Sequence, residues 1–179
     1  MKHFILVLTL LPLFTFCGQQ KEKESESGNE SAASNYSATY YLIRHAEKVR
    51  TDPKDPDPAL NIDGMVRAKR WAAYFEPIKL DEIYITKYIR TKQTISFIAQ
   101  QKQISPKRYD PNTIYSEEFL KETNGKTVLI AGHSNTTPQL VNQLIGEDRF
   151  EDMDDSDNST LFKVTIDGPD KKVETIIVE

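Results

Sequence analysis

"YYLIRHAEKVR", residues 40–50, decides how the rest of the chain is read. Tyr40 to Ile43 form a β-rich apolar run, and the run stops abruptly at Arg44 and His45 before a burst of charge. The chain has only three histidines, and one of them stands where a buried strand would deliver it to the edge of a sheet. His45 and its neighbour Arg44 therefore mark the first place to look for chemistry.

Working outward, the segment after this strand is rich in proline and aspartate, "EKVRTDPKDPDPALNIDG", and reads as a loop. In "NIDGMVRAKRWAAYFEP", Met65, Ala68, Trp71, Ala72 and Phe75 recur at helical spacing, Asn61 or Asp63 can cap the start, and Pro77 ends it. "LDEIYIT" is then a short strand and "KYIRTKQTISFIAQQK" one amphipathic helix. A brief strand is expected in "PKRYDP" and a short helix in "SEEFLKETNG", closed by Gly125. "KTVLIAGHS" is an unbroken apolar strand of the kind buried on both faces of a parallel sheet. A helix follows in "TPQLVNQLIG", with Pro138 near its start and Gly146 at its end. The acidic "EDRFEDMDDSDNS" reads as a solvated loop, lacking the ligand spacing and central glycine of an EF-hand. "TLFKVTID" and "KVETIIVE" close the chain as strands around the turn "GPDK". This alternation predicts an α/β fold, a three-layer α/β/α sandwich with a mostly parallel central sheet.

Residues 1–16, "MKHFILVLTLLPLFTF", are an expected signal peptide, with basic Lys2 ahead of an apolar run. Residues 17–38 begin at Cys17, the only cysteine, and continue as a Ser/Glu/Lys-rich tract with too little apolar material to bury, a flexible tether. Residues 39–179 form one domain. The order of apolar run, lone cysteine and polar tract resembles a bacterial lipoprotein precursor, which implies lipidation of Cys17 and membrane anchoring outside the cytoplasm. Phe16, where such precursors carry a small residue, departs from the pattern, and a cleaved secretory signal is the other reading. Both export the domain. One cysteine excludes an intrachain disulfide and a cysteine metal cluster. The formal charge of -4 argues against nucleic-acid binding.

Ligands of open α/β sheets bind beyond the carboxyl ends of the strands. Three such ends present Arg44 with His45, Arg90 in the first turn of a helix, and His133. The segments "RHAEK", "DPALNIDGMVRA", "RTKQT" and "GHSNT" together resemble the histidine phosphatase superfamily, the phosphoglycerate-mutase-like fold, in its small-domain branch, over roughly residues 39–166. The resemblance implies that His45 is transiently phosphorylated and that Arg44, Arg90 and His133 complete a phosphate pocket. No cofactor and no metal is expected, and the partner is a phosphorylated small molecule or a phosphoprotein.

Elementary chemistry fits that arrangement. A histidine nucleophile must be neutral on the attacking nitrogen, and adjacent guanidinium groups lower its pKa. The same guanidiniums bind phosphate oxygens without losing charge. The leaving group still needs a proton, for which Asp110 is preferred and Glu47 is the alternative; Asp110 reads equally as the cap of a proline-containing turn. Ser134 and Asn135 are candidate phosphate donors or, equally, caps of the following helix. A phosphatase is expected ahead of a mutase, because the segment between Arg90 and His133 is short. A non-catalytic phosphate- or phosphopeptide-binding lipoprotein of the same fold is the alternative.

Overall fold

The computed structural model describes Met1 and residues 36–179; the expected signal, Cys17 and the tether as far as residue 35 lie outside the described residues. Among the described residues, six strands and five helices follow one another in the anticipated order, except that one expected helix is two. They are β1 (Ser37–Arg44), α1 (Ile62–Phe75), β2 (Glu82–Ile85), α2 (Ile89–Thr94), α3 (Ser96–Lys102), β3 (Lys107–Arg108), α4 (Glu117–Thr123), β4 (Thr127–Gly132), α5 (Thr136–Ile145), β5 (Thr160–Asp167) and β6 (Asp170–Ile177).

The strands form one sheet in the order β3-β2-β4-β1-β5-β6. The β3-β2, β2-β4 and β4-β1 pairs are parallel, and β5 and β6 add an antiparallel hairpin at the edge. The period-2 alternation of strand side chains assigns each residue of β1 to one of two cores. Tyr40 and Leu42 pack with Val128, Ile130, Phe119 of α4 and Leu140, Val141 and Leu144 of α5. Tyr41 and Ile43 pack on the other face with Leu129, Ala131, Trp71 and Phe75 of α1 and Ile98 of α3. Helices thus cover both faces, giving the three layers expected.

Local chemistry accounts for the element ends. The Asn61 side chain accepts from the Gly64 N–H at 2.8 Å and caps α1, whose buried residues Gly64, Ala68, Trp71 and Phe75 form a single stripe. Gly146 closes α5 at φ 75°, a conformation glycine adopts without a Cβ penalty.

Two boundaries differ from expectation. Strand β1 begins at Ser37, inside the stretch 17–38 expected as a tether, and Tyr36 packs against the core. The single helix expected over residues 87–102 is two, divided at Ile95. The Thr94 hydroxyl donates to the Arg90 carbonyl at 2.7 Å and the Ser96 hydroxyl to that of Gln93 at 2.8 Å. Side-chain back-bonds of this kind bend helices.

Candidate active site

The sheet order places the site. Strand β4 lies between β1 and β2, all parallel, with Arg44 opposite Gly132 and Ile85 opposite Ala131. The residues just beyond these ends, His45, His133 and Thr86, therefore emerge side by side. The chain leaves β1 toward the α1 face and β4 toward the α5 face, which opens a crevice between the two connections.

The backbone around His45 is clamped at every polar group. Its N–H donates to the Gly132 carbonyl at 3.0 Å, and its own carbonyl accepts from Asn158 Nδ2 at 2.7 Å. The Ala46 N–H donates to Thr94 Oγ1 at 2.8 Å, the same hydroxyl that bonds back to the Arg90 carbonyl. Gly64 lies directly under the next residue, since a Cβ there would come 2.1 Å from the Glu47 carbonyl oxygen. The loop is a fixed mount.

The imidazole of His45 is 3% exposed, and its Nδ1 lies 2.8 Å from the Ala46 carbonyl. A carbonyl can only accept, so Nδ1 carries the proton and Nε2 keeps its lone pair. Burial lowers the His45 pKa to about 4, with Arg44, Arg90 and Lys48 adding to the effect and the Ala46 bond opposing it. The ring of His133 faces it edge-on with centroids 5.4 Å apart. Burial, then Arg90, His45 and Arg44, lower the His133 pKa to about 3. Both rings are neutral near pH 7, and His133 gains a proton only if a bound anion offsets those causes.

The two arginines are held differently. Arg90 reaches His133 Nδ1 with Nη2 at 3.4 Å, stacks over the Tyr88 ring at 4.1 Å and approaches Asp57 at 3.4 Å. Asp57 also accepts the Ile89 N–H that opens α2. Arg44 is almost fully buried, its Nη1 donating to the carbonyls of Asp154 and Asp157 and its Nη2 to Asp155 Oδ1 at 2.5 Å. Each arginine has a buried Nε without a partner among the described residues. Buried donors without a partner are uncommon, and these two flank the same crevice, where an anion could take them up.

Arg44, His45, Arg90 and His133 are thus brought together. Asp110 is not: it is exposed, and its carboxylate accepts from the N–H and Nδ2 of Asn112 in its own turn. Its neighbour Tyr109 turns inward beneath Gly132 instead. Glu47 sits beside the site but is paired with Arg67 at 2.7 Å. Ser134 is half-buried and accepts the Met153 N–H on its carbonyl, while Asn135 is exposed and makes no side-chain cap bond to α5.

Several participants escaped the sequence. The acidic loop read as solvated closes over Arg44 through Asp154, Asp155 and Asp157 and supplies Asn158 to His45. Thr86 Oγ1 lies 2.9 Å from His133 Nε2, and the Tyr88 ring packs on His133 at 5.0 Å. Position just beyond a strand end was the available signal for Thr86. For Asp57 and Asp155, no local pattern marked the pairing.

The family model of the histidine phosphatase superfamily (branch 1) matches residues 40–112. Among curated proteins, none matches the chain. Solved structures share the fold. The SixA protein of Agrobacterium tumefaciens is 22% identical, with TM-score 0.59, covering 78% of this chain and 97% of its own. The protein histidine phosphatase SixA, solved in complex with tungstate, is 15% identical with TM-score 0.61 over 78% and 96%. A phosphoglycerate mutase from Bacillus anthracis is 12% identical with TM-score 0.62 over 81% and 95%. Residues 40–112 are thus similar to that family, and the likenesses to solved structures extend the shared fold, and the fold alone, over most of the chain.

Proposed function

We propose that this protein is a phosphatase in which His45 carries a transient phosphoryl group. The observation that carries the reading is the state of His45: neutral, with Nδ1 spent on the Ala46 carbonyl, and set beside His133, Arg44 and Arg90. The Nε2 lone pair attacks phosphorus, forming a P–N bond as the bond to the leaving group breaks and that group departs with its electron pair. Water then attacks the phosphohistidine, releasing phosphate and restoring the imidazole. Arg44 and Arg90 take the charge of the equatorial oxygens, and His133 adds a donor once the anion has restored its proton. These groups supply the electrostatic work without a metal.

The nearby carboxylates bear on the leaving group. Glu47 is held by Arg67, Asp57 by Arg90 and the start of α2, and Asp155 by Arg44 and Arg50. Such commitments favour substrates whose leaving group departs with little help, phosphohistidine or an aryl phosphate ahead of an alkyl ester. The segment between Arg90 and His133 is largely spent on α2, α3, β3, α4 and β4, which favours a phosphatase over a mutase.

Steady-state hydrolysis of p-nitrophenyl phosphate and of phosphohistidine tests the reading. His45→Ala should abolish both; wild-type turnover in that variant would sink it. We further infer export and a lipid anchor on Cys17, supported by the sequence order of apolar run, cysteine and polar tract. Metabolic labelling with palmitate should mark the wild type and fail with Cys17→Ser; labelling of both would count against the anchor.

A further inference from the structure

Beside the phosphate-binding residues lies an open groove of about 470 Å³, lined by residues 47–51, Asn61, Asp155, Ser156 and Asn158. Most of its neutral and acidic side chains have partners within the protein. Asn61 caps α1, Asn158 holds the His45 carbonyl, and the Ser156 hydroxyl donates to Asp154. The two cations are spent unequally. Lys48 forms no ion pair among the described residues, and its pKa is lowered by burial and then by Arg90 and Arg50, which places it inside a positive field. Arg50 is half-exposed and gives Nη1 to Asp155 Oδ2 at 2.6 Å and Nη2 to the Asp155 carbonyl at 3.3 Å.

Asp155 joins the groove to the reaction centre. One of its oxygens holds Arg44 and the other holds Arg50, so one carboxylate bridges the guanidinium that would bind the phosphoryl group and the one lining the groove. Those two guanidiniums thus already hold one anionic group between them, the Asp155 carboxylate. Lys48 lies within electrostatic reach of His45 and Arg90 on one side and of Arg50 on the other, so it connects the reaction centre with the groove.

We propose that Lys48 and Arg50 form a subsite for a second anionic group, a carboxylate or phosphate, on the leaving-group side of the substrate. The subsite rests on the phosphate site proposed above and names a class for its substrate: phosphorylated compounds with a second negative charge close to the transferred group. A charge-assisted hydrogen bond from either cation should raise affinity roughly tenfold or more.

The test separates binding from turnover. Affinities of phenyl phosphate and 3-carboxyphenyl phosphate are measured by calorimetry on His45→Ala, which cannot turn either over. The carboxylated compound should bind roughly tenfold tighter, and adding Lys48→Gln or Arg50→Gln should remove that preference. 3-Phosphophenyl phosphate in place of the carboxylate distinguishes the two anions. Equal affinities, or a preference that survives both substitutions, would overturn the subsite. Binding of none of the three would overturn the subsite and the phosphate site together. A preference present in His45→Ala with no hydrolysis by the wild type would leave the subsite standing and remove the catalytic reading.

Discussion

Acidification from neutrality to about pH 4.5 should cost the folded protein about 5 kcal/mol through two histidines alone. His45 holds its proton only below about 4 and His133 only below about 3, against an ordinary value of 6.5. Below 6.5 the unfolded chain takes up two protons that the native site refuses, so stability is full above that value. It is lost as pH falls, until the native rings protonate in turn. With about 1.36 kcal/mol for each pH unit and each proton, the window down to pH 4.5 takes roughly 2 to 3 kcal/mol per ring. Asp155 contributes little there, because Arg50 and Arg44 hold it near 2 and its own loss of stability comes at lower pH. Urea denaturation followed by fluorescence at a series of pH values measures the slope, and the double variant His45→Gln with His133→Gln is the control. The wild type should lose stability more steeply than the variant between about pH 6.5 and 4.5. Parallel curves would refute the placement of both rings in a buried, positively charged setting.

Other consequences follow from the mount of His45. Gly64→Ala drives a Cβ to 2.1 Å from the Glu47 carbonyl, so the loop or α1 must move; a loss of roughly 3 kcal/mol and most activity is expected, read by thermal melts and turnover. Thr94→Val leaves the buried Ala46 N–H without its acceptor and should cost about 1 to 3 kcal/mol, with the denaturation midpoint as readout. Thr86→Val removes the hydroxyl at His133 Nε2 and should lower kcat roughly tenfold with little change in stability beyond about 1 kcal/mol. An unchanged kcat would show that His133 does not depend on that contact.

The sequence carried the frame of the molecule because its periods are local. The apolar run of β4, the stripe of α1 and the glycine ending α5 each report their own surroundings, and the strand ends follow from them. Arg44, His45, Arg90 and His133 were legible for the same reason, since each stands at or just beyond the end of a strand or at the start of a helix. The missed parts depend on chain segments far apart in sequence. Asp155 meets Arg44 across more than a hundred residues, and Asp57 reaches Arg90 because a proline-rich loop folds back on α2. Asp110 had two readings, proton donor or turn cap, and the structure shows the turn. It lay in the expected stretch, yet an Asx-type turn took its carboxylate and aimed it at Asn112. The break at Ile95 was hidden because apolar spacing continues through it, while two hydroxyls bend the backbone.

Direct detection of phosphohistidine tests the central claim. The protein is mixed with p-nitrophenyl phosphate, quenched in alkali to preserve the P–N bond, digested and sequenced by mass spectrometry. A phosphoryl group on His45, absent when Arg44 or Arg90 is replaced by alanine, is the expected result. Release of phosphate with His45 unmodified, or a phosphoryl group found on His133 instead, would contradict the account.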